Sequence, residues 1–207
     1  MPAKKSKNTG VLIATAIAAA LLVTATVALD EIYAPIDGVI RAGALLGYLG
    51  VFLAGLSSNF MRELTRYFGR PFIKTHHLVS VTALTALIIH ATAVAWRAQS
   101  AATFLPEFNS LSGFLTLGGR PALWLLAVTS LTALFRAKLG KSWKTIHWLN
   151  YVAFLLGTAH AILLGQNFQH IGVRIVAALM AVALLVIFVL RRTKRQPARS
   201  SRARKSE

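Results

Sequence analysis

Six histidines, His76, His77, His90, His147, His160 and His170, are the residues of this 207-residue chain whose type and spacing can do chemistry. Imidazole nitrogen is a good ligand for iron. The chain has no cysteine, which excludes disulfides, thiolate metal sites, iron–sulfur clusters and thiol catalysis. His76 and His90 are 14 residues apart, and His147 and His160 are 13 apart. At 1.5 Å of rise per helical residue, either pair spans about 20 Å along a helix axis. Two parallel helices carrying these pairs offer an imidazole at each of two matching depths. A stack of two six-coordinate haems needs that arrangement, with each iron held between one imidazole from each helix.

Helical phase tests the pairing unevenly. Fourteen residues return to within about 40° of the starting face, whereas thirteen leave about 140°. The second pair therefore requires His147 at a helix end, a local distortion, or rings that reach round the helix. His77 to His90 is also a step of 13, so spacing leaves His77 in competition with His76. His170, in the segment QNFQHIG, reads as an interfacial residue rather than a ligand. An alternative keeps the same residues without haem, as the lining of a polar cavity in a membrane transport or binding protein. A proton relay would use carboxylates inside the spans, and these spans carry none.

The elements that position the histidines are membrane helices. The chain is 56% hydrophobic and 14% charged, with a formal net charge of +17 and a mean hydropathy of +0.60. A soluble nucleic-acid-binding protein of that charge would not be so apolar. Six segments approach the roughly 20 residues that cross a hydrocarbon core of about 30 Å: Val11 to Leu29, Gly38 to Ser57, His77 to Trp96, Pro121 to Phe135, Ile146 to Gly165 and Ile171 to Leu190. The first follows Lys4, Lys5 and Lys7 but lacks a small-residue cleavage site, so it reads as a retained span. The expected fold is an all-α, integral membrane six-helix bundle.

Basic residues in short loops stay on the cytoplasmic side. All but four of the 23 Lys and Arg residues, the exceptions being Arg41, Arg97, Arg120 and Arg174, fall in the N-terminus, in alternate connections or in the C-terminal segment. Both termini are therefore expected to be cytoplasmic, in a multi-pass protein of the inner or plasma membrane. The organisation that follows is a basic N-terminus over 1–10, a six-span domain over 11–190 and a disordered basic tail over 191–207 that contacts acidic lipids. Nucleic acid is not an expected partner. The longest outer connection, Arg97 to Arg120, carries Phe104, Leu105, Phe108 and Phe114, which suits a flap or short helix at the membrane surface.

Several segments together resemble the ferric reductase-like transmembrane domain family, which includes ferric reductases, NADPH oxidases and the haem-binding membrane subunit of periplasmic methionine sulfoxide reductase. They are LGKSWKTIHWLNYVAFLLGTAH at Leu139 to His160, FGRP at Phe68 to Pro71, HHLVSVTALTALIIH at His76 to His90, GRP at Gly119 to Pro121, and the pair Thr129 and Ser130. The similarity covers roughly Gly38 to Leu190. It implies two b-type haems, with His90 and His160 ligating the outer one and His76 and His147 the inner one. The family's His-x13-His pattern selects His76 over His77. The methionine sulfoxide reductase subunits often have Arg at the position of His76, so this chain follows the reductase and oxidase pattern there. Ser80 stands where many members have Gly.

The resemblance also implies an oxidoreductase subunit that moves electrons across the membrane. No Gly-rich dinucleotide fingerprint is found, so electrons are expected from another molecule: a separate cytoplasmic flavin reductase, or membrane quinol, with FMN or a quinone as a further cofactor candidate. The outer acceptor would be a redox protein, ferric iron or oxygen. Arg70, Lys74, Lys141 and Lys144 are candidates for pairing with inner haem carboxylates, and Arg97, Arg120 and Gln166 with outer ones. Phe154, midway between His147 and His160, either packs between the porphyrins or fills the core or faces lipid. Trp143 and Trp148 suit an interfacial belt.

Overall fold

The computed structural model describes residues 34–69 and 71–193. The expected first span at Val11 to Leu29, the basic N-terminus, Asp30, Glu31, Arg70 and the tail beyond Thr193 lie outside the described residues. The described residues form helices joined by short turns. In chain order these are α1 (Pro35–Asn59), α2 (Met61–Phe68), α3 (Ile73–Ala98), a 3₁₀ turn (Ala101–Phe104), α4 (Leu111–Thr116), α5 (Gly119–Leu134), α6 (Arg136–Leu139), α7 (Ser142–His147), α8 (Leu149–Leu164), a second 3₁₀ turn (Gln166–Gln169) and α9 (Ile171–Thr193).

Four helical stretches among the described residues are long and apolar enough to cross a membrane: Pro35–Asn59, Ile73–Ala98, Ser142–Leu164 and Ile171–Thr193. They correspond to the expected second, third, fifth and sixth spans. The expected fourth span is α5, which has 16 residues. At 1.5 Å per residue it measures about 24 Å, short of a hydrocarbon core.

α1 begins with Pro35 in its first turn, where a missing N–H costs no hydrogen bond, and with Asp37 next to the positive end of the helix. It lies against α3 along Gly43, Gly47 and Gly50. A Cβ at Gly43 would come within 2.9 Å of the Ala86 carbonyl and 3.1 Å of His90 Cβ, and one at Gly50 within 2.6 Å of Ala83 Cβ. Small residues at these points let two backbones touch. The contact also fixes the position of His90 relative to α1. On its other side α1 contributes Leu49, Phe52 and Leu56 to a core completed by Phe154 of α8 and by Met180, Ala181 and Leu184 of α9.

The stretch Ser142–Leu164 is not one continuous helix. It breaks between α7 and α8 at Trp148, where Trp148 N–H bonds the Thr145 carbonyl and Tyr151 N–H bonds the Trp148 carbonyl. Such i to i+3 bonds advance the chain about 20° more per residue than an ideal helix. His147 is the last residue of α7, immediately before the break.

Candidate functional site

The four histidines of the two spaced pairs sort into two cavities. His90 and His160 line one of about 420 Å³, and His76 and His147 line the other, of about 330 Å³. α3 and the α7–α8 stretch therefore run in the same sense, each carrying one histidine to each cavity. His147 is the last residue of α7, at the α7–α8 break, and lines the cavity shared with His76. His77 is exposed and lines neither cavity, and neither does His170.

The second nitrogen of each ring is held differently. His90 Nδ1 donates to the Ile40 carbonyl at 2.9 Å, and His160 Nδ1 donates to the Thr116 carbonyl at 2.8 Å. Thr116 ends α4, so its carbonyl has no partner in the helix ladder and takes the imidazole N–H. A carbonyl only accepts, so both neutral rings carry their proton on Nδ1 and keep the lone pair on Nε2. Gly119 leaves room for His160: a Cβ there would be 2.7 Å from Cδ2 and 2.9 Å from Nε2.

In the other cavity His147 Nδ1 lies 3.4 Å from the Thr129 carbonyl, and Asn150 Nδ2 is 3.3 Å from either ring nitrogen. Asn150 Oδ1 in turn accepts from the Thr129 hydroxyl. Thr129 is 0% exposed, so α5 supplies a fixed anchor for this side chain. Nδ1 of His76 is buried without a hydrogen-bond partner among the described residues. Ser80 lines the same cavity and donates to the His76 carbonyl at 2.8 Å.

Val51, Leu126 and Phe154 line both cavities and form the wall between them. Phe154 is 3% exposed, which removes the lipid-facing reading. Its ring stacks on Tyr48 at 5.0 Å and 18°, and Tyr48 Oη is bonded to Thr158 Oγ1 at 3.0 Å.

Charged groups collect at the cavity mouths. Arg97, Arg120 and Gln166 line the His90–His160 cavity. Arg97 is engaged with Asp37 at 2.6 Å, and Arg120 Nη1 donates to the Leu105 carbonyl at 3.0 Å. Of the flap or short helix expected in this connection, the structure has a 3₁₀ turn and the short helix α4. Trp124 Nε1 donates to the Phe104 carbonyl at 2.9 Å, and Thr103 and Phe104 close over the cavity. Deeper in, the buried Arg41 donates to Asn167 Oδ1 at 3.3 Å.

At the His76–His147 cavity the expected cations change. Lys144 lines it, but Lys74 and Lys141 do not, and Arg191 and Arg192 of α9 line it instead. Sequence spacing assigned these two arginines to the tail, because nothing local shows that the end of α9 returns to α7. Trp143 and Trp148 line the cavity too, so neither is only a belt residue. Arg191 Nη1 bonds Glu63 Oε1 at 2.7 Å. Burial opposes ionisation of Glu63, but the Arg191 bond, its own backbone N–H and the charges of Arg191 and Arg66 together hold its pKa below the usual carboxylate value. Asn150 was legible as a neighbour of His147, three residues on and so on the same helical face; Thr129, from another helix, was not.

Among the described residues no group of three or more His, Asp or Glu side chains is placed to hold a metal ion. Two imidazoles per cavity, with the apolar Val51, Leu126 and Phe154 between the cavities, suit a planar iron macrocycle that brings its own four equatorial nitrogens. A profile for the ferric reductase like transmembrane component matches residues 41–158, more than half of the chain. No curated protein and no solved structure matches.

Proposed function

We propose, from the premise that the chain belongs to the ferric reductase-like transmembrane component family, that it conducts electrons across a membrane through two bis-histidine b-type haems. The observation that carries this reading is the sorting of His90 with His160 and of His76 with His147 into two cavities that share a wall. A metal-bound imidazole usually donates its other N–H to a carbonyl or carboxylate, which fixes the tautomer and strengthens the ligand. His90 and His160 have that bond, and His147 has a longer version of it. A haem-free polar cavity would not need four rings sorted in pairs, two of them with the tautomer set by a backbone carbonyl.

When bound, each haem supplies a one-electron couple on iron. The protein supplies the rest. His90 and His160 would hold one such group, and His76 and His147 the other. Val51, Leu126 and Phe154 keep the intervening wall apolar. The Thr103–Phe104 turn and the Trp124 hydrogen bond limit water at one mouth. With two imidazoles offered to each group, the residues of the cavities would favour electron transfer over binding of oxygen or substrate at iron.

In this reading the bundle has six membrane segments with both termini cytoplasmic, α5 serving as a short fourth segment and 11–29 as the first. The His76–His147 level is then on the cytoplasmic side and receives electrons from a flavin reductase or quinol. The His90–His160 level delivers them to an outer redox protein, ferric iron or oxygen. Proteoliposomes test this: with ferricyanide trapped inside and a reduced donor outside, the protein should accelerate ferricyanide loss, and His90→Ala or His147→Ala should abolish the acceleration. Equal rates in protein-free vesicles would refute it.

A further inference from the structure

The end of α9 lies outside the matched residues 41–158, yet it closes the His76–His147 cavity. Arg192 is placed there by stacking. Its guanidinium carbon sits 3.1 Å from the centroid of the Trp148 ring and 5.2 Å from that of Phe188. Trp148 is the residue after His147, at the α7–α8 break, so Arg192 is tied to the same backbone that presents the ligand histidine. Stacking fixes the guanidinium plane through a cation–π contact and leaves its in-plane N–H donors free. None of those donors has a hydrogen-bond partner among the described residues. Lys144 is the second such cation: its ammonium lies 6.0 Å from the Trp143 ring and also lines the cavity.

The remaining arginines that line either cavity are already committed. Arg191 is bonded to Glu63, Arg97 to Asp37, Arg120 to the Leu105 carbonyl and Arg41 to Asn167. Two cations that line this cavity, with side-chain donors that meet no partner among the described residues and one of them stacked as a planar fork, match an anionic group with paired oxygens.

We infer that Arg192, held on Trp148, and Lys144 form an anion site that pairs with the carboxylate arms of the group bound between His76 and His147. This rests on the haem reading above, and it replaces Lys74 and Lys141 as partners of those arms. It also gives α9 a role beyond anchoring, as the element that closes the site and orients the bound ring.

The charge makes the site measurable. A fixed cation beside an iron couple favours the reduced form, so removing it lowers the potential. Acting through an effective dielectric of about 20, one unit charge at the cavity edge changes the one-electron equilibrium constant roughly tenfold, which is about 59 mV.

The test is a potentiometric titration of the purified full chain in lipid nanodiscs, followed optically, with His76→Ala identifying the component that belongs to its cavity. Arg192→Met keeps an apolar stem on Trp148 and removes the charge. It should lower that component's reduction equilibrium about tenfold while leaving the His90–His160 component unchanged, and Arg192→Lys should restore at least half of the shift. Lys74→Met, outside the cavity, should shift neither component. An Arg192→Met titration identical to the parent, or matched by Lys74→Met, would overturn the site. A shift seen only in discs containing anionic lipid would assign the oxygens to a lipid phosphate and overturn it as stated. A parent protein without haem would instead defeat the function proposed above, before the variants are compared.

Discussion

Replacing Gly119 by Ala places a methyl group against the ring of His160. The added carbon would lie 2.7 Å from Cδ2, 2.9 Å from Nε2 and 3.1 Å from Cγ, well inside a carbon contact of about 3.5–4.0 Å. The ring must therefore move by about 1 Å. It is not free to do so, because Nδ1 is bonded to the Thr116 carbonyl at 2.8 Å. Overpacking of this kind costs about 1–3 kcal/mol, and loss of the hydrogen bond costs about 1 kcal/mol more. The better helix propensity of Ala returns about 1 kcal/mol. The net is a fold weakened by about 1–3 kcal/mol but still formed, with Nε2 displaced from its position. Haem content by pyridine haemochromogen should fall from two per chain to one. Low-temperature electron paramagnetic resonance should lose the low-spin signal that His90→Ala also removes. Gly172, where a Cβ would meet nothing within 4 Å, provides the control, and Gly172→Ala should keep both haems. Two haems with unchanged resonance in Gly119→Ala would show that His160 is not held as a ligand.

Alanine at His90 or His160 should each remove one haem, and alanine at His76 or His147 should each remove the other. His77→Ala and His170→Ala should retain both, as counted by absorbance against protein. Asn150→Leu should alter the resonance of the His76–His147 haem alone and lower thermal stability by about 1 kcal/mol, because its bond to Thr129 is lost and His147 loses a side-chain anchor. For Glu63 the pKa is depressed in the folded state, so its stabilisation is present at neutral pH and is lost as pH falls through the folded pKa. Melting temperature should decline on acidification below about pH 4.5, and Glu63→Gln should reduce that slope at a cost near 0.5 kcal/mol at neutral pH. An unchanged slope in Glu63→Gln would contradict the role of the Arg191 pair.

The cavities were largely legible in the residues. Steps of 14 and 13 between histidines give depth directly, because helical rise is nearly constant. Phe154, midway along one step, was legible as a wall residue for the same reason, although burial was needed to separate it from a lipid-facing ring. That His147 needs a helix end or a distortion was legible from the 13-residue step, but the place of the break was not. The break at Trp148 has neither Pro nor Gly to announce it, and it arises from i to i+3 bonds that side-chain patterns do not encode. The part that α9 plays in lining the His76–His147 cavity was not legible for a related reason. Spacing sees neighbours within a helix, whereas Arg191 and Arg192 reach Phe60, Glu63 and Trp148 across the bundle. The helix of Gly119–Leu134 was found with its start two residues early and its end one residue short, and its length keeps it apart from the four helices long enough to cross alone.

The central claim is that two irons sit between two imidazoles each, and haem stoichiometry with spectral type tests it most directly. The full chain, purified in mild detergent and reduced with dithionite, should show the sharp bands of low-spin b-type haem at two per chain, and the bands should not shift under carbon monoxide, because no axial position is open. A colourless protein, or a single haem that binds carbon monoxide, would contradict the account.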